Sequence, residues 1–304
     1  MLLTIRGWHG TVIIIKRVRK MSSNNILIKE KSDRIILFAD IRDSTNILLN
    51  FENGVYLRDK MNRDTDFSYE KFIHDVHEAA YKELYLSHES TFAEIYGDGI
   101  MAVFPEDNGK YILENIYRLT SGMRRYNDSH REEILHPKMD MGCGITIGKV
   151  SFAYYPFDCR YHAIGQCIHE AARIESISKR YDARVLISQH FFDFIRHYID
   201  SDPRFSFRFI DRLVLYGFQK PLTLYELLLD NDPRFEIKQK SVSAYNHAYA
   251  MYCNRDWKGA REIFYRIYRE YGLGTGSIMA NRCRRLANNE PDGYWEGIWD
   301  SSKK

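Results

Sequence analysis

The stretch Glu94-Ile95-Tyr96-Gly97-Asp98-Gly99-Ile100-Met101-Ala102-Val103-Phe104 constrains the chain more than any other. Apolar, strand-forming runs lie on both sides of a Gly-Asp-Gly turn, so residues 91–96 and 100–104 are expected to form a hairpin. Glycine reaches positive φ at no steric cost, which lets the turn be tight and leaves the Asp98 carboxylate at its tip. A carboxylate on a rigid turn suits a hard cation. Asp-Gly turns are common, however, and the group gains chemical meaning only beside a partner.

A partner is available. Ile35-Ile36-Leu37-Phe38 reads as a compact strand that ends at Asp40. If it pairs with the hairpin, two carboxylates converge, and such a pair can hold two divalent ions about 3.5–4 Å apart. Arg42-Asp43-Ser44-Thr45 follows and opens a helix. Small hydroxyl residues and free N–H groups at a helix N-terminus make a seat for phosphate, although an ordinary cap is the commoner use. These parts point to metal-assisted chemistry on a nucleoside triphosphate.

The remaining pattern gives the fold class. Apolar spacing predicts helices over residues 68–86, 111–126, 165–180 and 189–199, the last capped by Ser188. Strands are expected at 139–147 and 149–154, meeting in a hairpin at Gly148, and at 183–187, 205–215 and 222–229, while 160–164 reads as a short strand or an approach loop. Hairpins interspersed with helices indicate an α+β layer with a mostly antiparallel sheet and helices on one face. Residues 238–290 differ: three helical runs resemble a single tetratricopeptide-like unit. One such unit is unstable alone, so it should pack on the preceding domain, with Trp295 and Trp299 as anchors. The expected division is an extension over 1–32, a catalytic domain over 33–229 and a helical segment over 236–304. The polar run after Met21 has the character of a start, and translation beginning there is a further expectation.

Composition removes several alternatives. A net charge of +3 is too small to argue for nucleic acid or membrane. Five cysteines without a C-x-x-C pair fit reduced thiols better than disulfides or zinc. The early apolar run 12–15 is too short to span a bilayer. A cytoplasmic location is expected.

Four motifs then occur in order: Phe38-Ala39-Asp40-Ile41-x-x-Ser44-Thr45, Tyr96-Gly97-Asp98, Gly144-Ile145-x-Ile147-Gly148, and Ile164-Gly165 followed by Ala171-Ala172-Arg173-Ile174-Glu175. Together they resemble the catalytic domain of class III nucleotidyl cyclases over roughly residues 33–229. The resemblance implies a ferredoxin-like fold and a two-metal cyclisation, with Mg²⁺ or Mn²⁺ on Asp40, Asp98 and the backbone carbonyl of Ile41. It implies that Arg173 stabilises the transferring phosphoryl group, that Ser44 and Thr45 bind nucleotide, and that the active sites are shared in a homodimer. His169 stands where the family usually has a ribose-positioning Asn. Lys220 stands near, but shifted from, the usual triphosphate-binding lysine.

Purine cyclases read the base with two side chains, three residues before each of Gly97 and Gly165. Here they are Glu94 and His162. A carboxylate accepts from uracil N3–H, the cytosine amine or the guanine edge, and His162 can donate to a carbonyl oxygen. An ionised Glu94 repels adenine N1. Tyr96 and Tyr161 add bulk nearby. With a nonstandard base pair and no sensor domain in this sequence, the chain is similar to the pyrimidine cyclases of Pycsar antiphage defence. That implies conversion of UTP, slightly favoured, or CTP to a cyclic nucleotide that acts on a separate effector. A guanylate cyclase and a catalytically silent dimer are the rival readings.

Overall fold

β2 (Ser32–Ile41) lies between β4 (Gly99–Pro105) and β5 (Met141–Tyr155), antiparallel to both. The computed structural model describes residues 27–28, 31–56, 67–86, 92–132 and 136–301. The early apolar run, which over residues 11–15 also reads as an edge strand, and the Met21 start lie outside them. Before β2 comes the two-residue β1 (Leu27–Ile28). After it the chain runs through α1 (Ser44–Glu52), α2 (Tyr69–Tyr81), β3 (Phe92–Tyr96), β4, α3 (Gly109–Ser129) and β5. Then follow β6 (Arg160–Ile164), α4 (Gln166–Ser178), β7 (Val185–Ser188), α5 (Gln189–Ile199), β8 (Phe205–Val214) and β9 (Pro221–Leu229). The C-terminal part holds α6 (Phe235–Cys253), α7 (Trp257–Tyr271), α8 (Gly274–Asn288) and β10 (Trp299–Asp300).

The architecture is α+β. The sheet order is β10-β8-β9-β7-β5-β2-β4-β3, with β1 and β6 paired to the far half of β5. Only β5–β7 and β8–β10 are parallel among the described strands. Period-two alternation in β2 sends Ile35, Leu37, Ala39 and Ile41 to one face and Ile36 to the other. The first face carries the main core under α1, α2, α3 and α5.

Two expectations are corrected. Helices do not share one face: α4 lies on the opposite side, where Cys167 and Ala171 pack against Ile36, Met101 and Val103. Nor is there a hairpin at Gly148. β5 is one continuous strand, and Gly148 pairs with Arg34 in β2. A Cβ at Gly148 would lie 2.8 Å from the Cβ of Cys167, so the glycine admits α4 and makes no turn. Gly144 serves the same end, since a Cβ there would collide with main-chain atoms of Ala171 and Glu175. The chain reverses later, between β5 and β6, where Cys159 adopts a φ of 57°. The helix expected over 68–86 is α2 followed by a π-helical turn over Lys82–Leu86.

The C-terminal helices pack on β8 and β9 through buried charge as well as apolar surface. Glu226 accepts from Arg208 Nε and Lys238 Nζ, each at 2.7 Å, and Lys238 also meets Asp232 at 3.1 Å. Asp211 accepts from Arg282 at 2.6 Å. Trp299 lies beneath the Arg282 guanidinium, 4.6 Å from it, and Trp295 donates to the Tyr252 carbonyl at 3.3 Å. Removing ions from water is costly, so each of these charges needs its partner.

Candidate active site

Sheet register builds the site. Asp40 at the end of β2 is paired with Gly99, the first residue of β4, and Asp98 immediately precedes it. Gly97 makes the turn at φ 60°. A Cβ at Gly99 would sit 3.1 Å from both the Ala39 carbonyl and Asp40 Oδ1, so a side chain there would make these neighbours give by a few tenths of an ångström, and glycine lets the hairpin lie close against β2. Asp40 and Asp98 come within hydrogen-bonding reach of each other. Partial burial, and then the Asp98 charge, push the Asp40 carboxyl up to about 6 against the pull of the Ile41 N–H, which donates to Oδ1 at 3.0 Å.

A third acid joins them. Glu175 on α4 is pushed up to about 7, chiefly by burial and then by Asp40, with Arg42 opposing. It shares a cleft of about 340 Å³ with Asp40, Ile41, Ser44 and Thr45. The cleft also holds Arg42, Asp43 and Lys179, the last two joined as an ion pair. At the N-terminus of α1 the cap position is Asp43, in the left-handed region at φ 60°, and its side chain caps no N–H group. Ser44 and Thr45 are therefore not caps, and their place in the cleft leaves them available to a ligand. Tyr69 is another neighbour: burial, then Asp98 and Asp40, raise its phenol.

Crowded, half-buried carboxyl groups of like charge are what a hard divalent cation relieves, so the donor set at Asp40 and Asp98 fits Mg²⁺ or Mn²⁺. Among the described residues one other acidic group has metal-like spacing, His74, Asp75 and Glu78 on α2. There the carboxylates are already paired with Lys71 and Lys82 at 2.7 and 2.8 Å.

The other expected residues stand apart from this cleft. Arg173 is exposed on α4, with its guanidinium 5.4 Å from the ring centre of Tyr216 in the β8–β9 turn. His169, one helical turn earlier, is also exposed, as is Lys220 at the end of the β8–β9 turn. None of the three lines the cleft with Asp40.

Glu94 and His162 are not joined either. Glu94 pairs across the hairpin with Met101, on the α4 side of the sheet, and accepts from the Tyr96 hydroxyl. Tyr96 in turn stacks on Phe38 at 6.2 Å. His162 pairs with Ala153, on the other face of the β5–β6 ribbon from Tyr161. Its Nε2 is 2.6 Å from Asp158, and its ring stacks on Tyr155 at 4.6 Å. The expected free donor thus has one nitrogen engaged. When Nε2–H donates to Asp158, Nδ1 of the neutral ring is an acceptor, and it donates only when the ring carries both protons.

Sequence reasoning missed Glu175, Arg42, Tyr69 and Asp158. Glu175 stood within a recognised motif but carried no signal of its own, because its proximity to Asp40 depends on the path of α4 across the sheet.

No family model matches the chain. It is 26% identical over 172 residues to the terminal-differentiation-specific adenylate cyclase of Dictyostelium discoideum, a match covering 55% of this chain and 8% of that protein. It is 28% identical over 137 residues to an adenylate cyclase of Anabaena cylindrica, covering 43% of this chain and 26% of that one. The matches thus span a minor part of both relatives. Similar solved structures include the adenylyl cyclase CyaB from P. aeruginosa, at 17% identity and a TM-score of 0.49, covering 66% of this chain and 95% of that one. The guanylyl cyclase Cya2 is similar at 18% identity and a TM-score of 0.47, covering 67% and 95%.

Proposed function

We propose that the protein is a nucleotidyl cyclase that converts a pyrimidine nucleoside triphosphate, UTP or CTP, to its 3′,5′-cyclic monophosphate and pyrophosphate. The observation that carries this is the convergence of Asp40 and Asp98, fixed by the β2–β4 register, beside a cleft that also contains the first turn of α1. Similarity to two adenylate cyclases supports the cyclase part.

In the proposed reaction the ribose 3′-hydroxyl gives up its proton to solvent as its oxygen bonds to the α-phosphorus, and the bond from the α-phosphorus to the pyrophosphate oxygen breaks. Asp40, Asp98 and the Ile41 carbonyl would hold two divalent ions, which when bound supply Lewis-acid activation and charge neutralisation. Ser44, Thr45 and the backbone N–H groups of the α1 N-terminus seat the phosphates. Arg173 stabilises charge on the transferring group. Because Arg173, His169 and Lys220 stand outside the Asp40 cleft in one protomer, the complete site is taken to form between two copies. There His169 and Lys220 would contact ribose and triphosphate.

Base choice rests on the Glu94 carboxylate, held by Tyr96. It accepts hydrogen bonds and opposes adenine N1. Tyr96 adds a ring beside it, which favours a smaller base. His162 supplies the second contact through Nδ1. Guanine is the second reading, since a carboxylate also fits its N1–H and amine edge. On the resemblance to Pycsar cyclases, the product would be a second messenger in antiphage defence, acting on a separate effector in the cytoplasm. Among the described residues, no helix is long and apolar enough to cross a membrane.

The test is direct. Purified protein is incubated with ATP, GTP, CTP and UTP separately, with Mn²⁺, and the products are separated by chromatography. Cyclic UMP or cyclic CMP is expected. Cyclic GMP or cyclic AMP alone would overturn the pyrimidine assignment, and no product from any substrate would overturn the enzyme.

A further inference from the structure

Two residues that follow α4 are gripped by helices from the far end of the chain. The main-chain N–H groups of Tyr181 and Asp182 bond back to Ile177 and Lys179, each at 3.1 Å, so both residues are tied to the last turn of α4. The buried Tyr181 hydroxyl donates to Asp211 and accepts from Arg282 of α8 at 2.7 Å. Asp182 Oδ2 accepts from the N–H of Gly274, the first residue of α8, at 3.0 Å. The same oxygen pairs with Arg234, which immediately precedes α6, at 2.9 Å. A Cβ on Gly274 would fall 2.8 Å from the Cβ of Asp182, so the approach requires glycine. Asp182 holds a φ of 51°, which Asp tolerates better than most residues. The carbonyl of the next residue, Ala183, accepts from Arg42, two positions after Asp40.

We propose that α6–α8 clamp α4 through Asp182, and that Asp182, Arg234 and Gly274 are positioning residues for Arg173. The helical segment is then part of the catalytic apparatus, although none of its residues lines the cleft. Arg173 projects from an exposed face of α4, so a small rotation of that helix displaces its guanidinium. A displacement of about 1 Å at a catalytic group can cost up to a hundredfold in rate. The catalytic consequence rests on the proposed cyclase activity; the clamp itself does not.

The test uses the full chain with Asp182→Ala. Amide hydrogen exchange over residues 166–178 is expected to accelerate about tenfold, because one charge-assisted hydrogen bond and one ion pair are lost, while α3 keeps its wild-type rate. On the substrate that the wild type turns over, kcat should fall about tenfold with KM changed less than about twofold, as for a group that acts only in the transition state. Asp182→Asn keeps an acceptor for Gly274 and tolerates the left-handed backbone, so it should restore most of both. Unchanged exchange in α4, or acceleration spread evenly over the chain, would overturn the clamp. Should Asp182→Ala not fold, the same measurements on Gly274→Ala decide, since that variant keeps every polar partner and presses on Asp182 from α8. A wild type inactive on every triphosphate would refute the cyclase reading and leave the exchange result to judge the clamp.

Discussion

Tyr96 donates its phenolic hydrogen to the carboxylate of Glu94, two residues earlier on the same face of β3. Burial and the neighbouring carboxylate both hold the phenol in its protonated form, so this donor persists across the physiological range. The pair is a carboxylate with a fixed orientation and an aromatic ring beside it, the two groups to which the proposed base choice is assigned.

Base choice should therefore depend on both members. Tyr96→Phe removes the hydrogen bond but keeps the ring, and Glu94→Ala removes the acceptor. In competition assays with four triphosphates, each should change the preferred-to-other turnover ratio by about tenfold, the scale of one or two lost hydrogen bonds. Mn²⁺ dependence should stay as in the wild type. An unaltered ratio in Glu94→Ala would remove that residue from base reading.

A site shared between two protomers predicts complementation. Asp98→Asn and Arg173→Ala should each be inactive. Mixed and allowed to exchange subunits, they should regain about a quarter of wild-type activity, because half the dimers then carry one intact site of two. Activity that stays at background after subunit exchange, with heterodimers confirmed by mass spectrometry, would place all the residues in one chain.

The acid cluster sets a pH dependence. Asp40 and Glu175 have folded-state values near 6 and 7, raised above their ordinary 3.8 and 4.5. The folded state then binds more protons than the unfolded chain, so stability from these groups falls as pH rises from about 4 to about 7. In chelator, Tm should drop between pH 5.5 and 8.0 more steeply for the wild type than for Asp98→Asn, which lacks one of the repelling charges. Mn²⁺ at pH 8.0 should raise Tm in the wild type and much less in the variant. Parallel pH profiles for the two proteins would contradict this account.

Glu226 holds the C-terminal helices by charge. It is fully buried and serves Arg208, Lys238 and the Arg184 N–H at once. Glu226→Ala leaves two cations buried without this partner and should cost about 3–5 kcal/mol in urea denaturation. A loss below about 1 kcal/mol would show that water or a neighbouring carboxylate replaces it.

Two parts of the site, the Asp98 turn and the strand end at Asp40, were legible because each depends on near neighbours. Apolar runs on both sides of Gly97-Asp98-Gly99 define a hairpin from turn chemistry alone, and the compact apolar run 35–38 puts Asp40 at the end of its strand. The α+β class followed from the same periodicities. Gly148 shows the limit of that reasoning: a glycine between two apolar runs reads as a turn, yet here it admits Cys167 of a helix packed above the strand. His162 shows it again, since its partner Asp158 lies four residues away across a reversal that sequence periodicity does not position.

The sequence by itself determined most of the elements and placed Asp40 at a strand end and Asp98 at a turn, because φ/ψ preference and side-chain period act over a few residues. Only the tertiary structure decided that β2 and β4 pair in the register that brings these acids together, that Glu175 joins them, that Arg173 lies by Tyr216 outside their cleft, and that α6–α8 bind the sheet and the end of α4 through ion pairs. Those outcomes depend on how helices cross the sheet and on which charges lose their water together, and both arise from contacts between residues far apart in the chain.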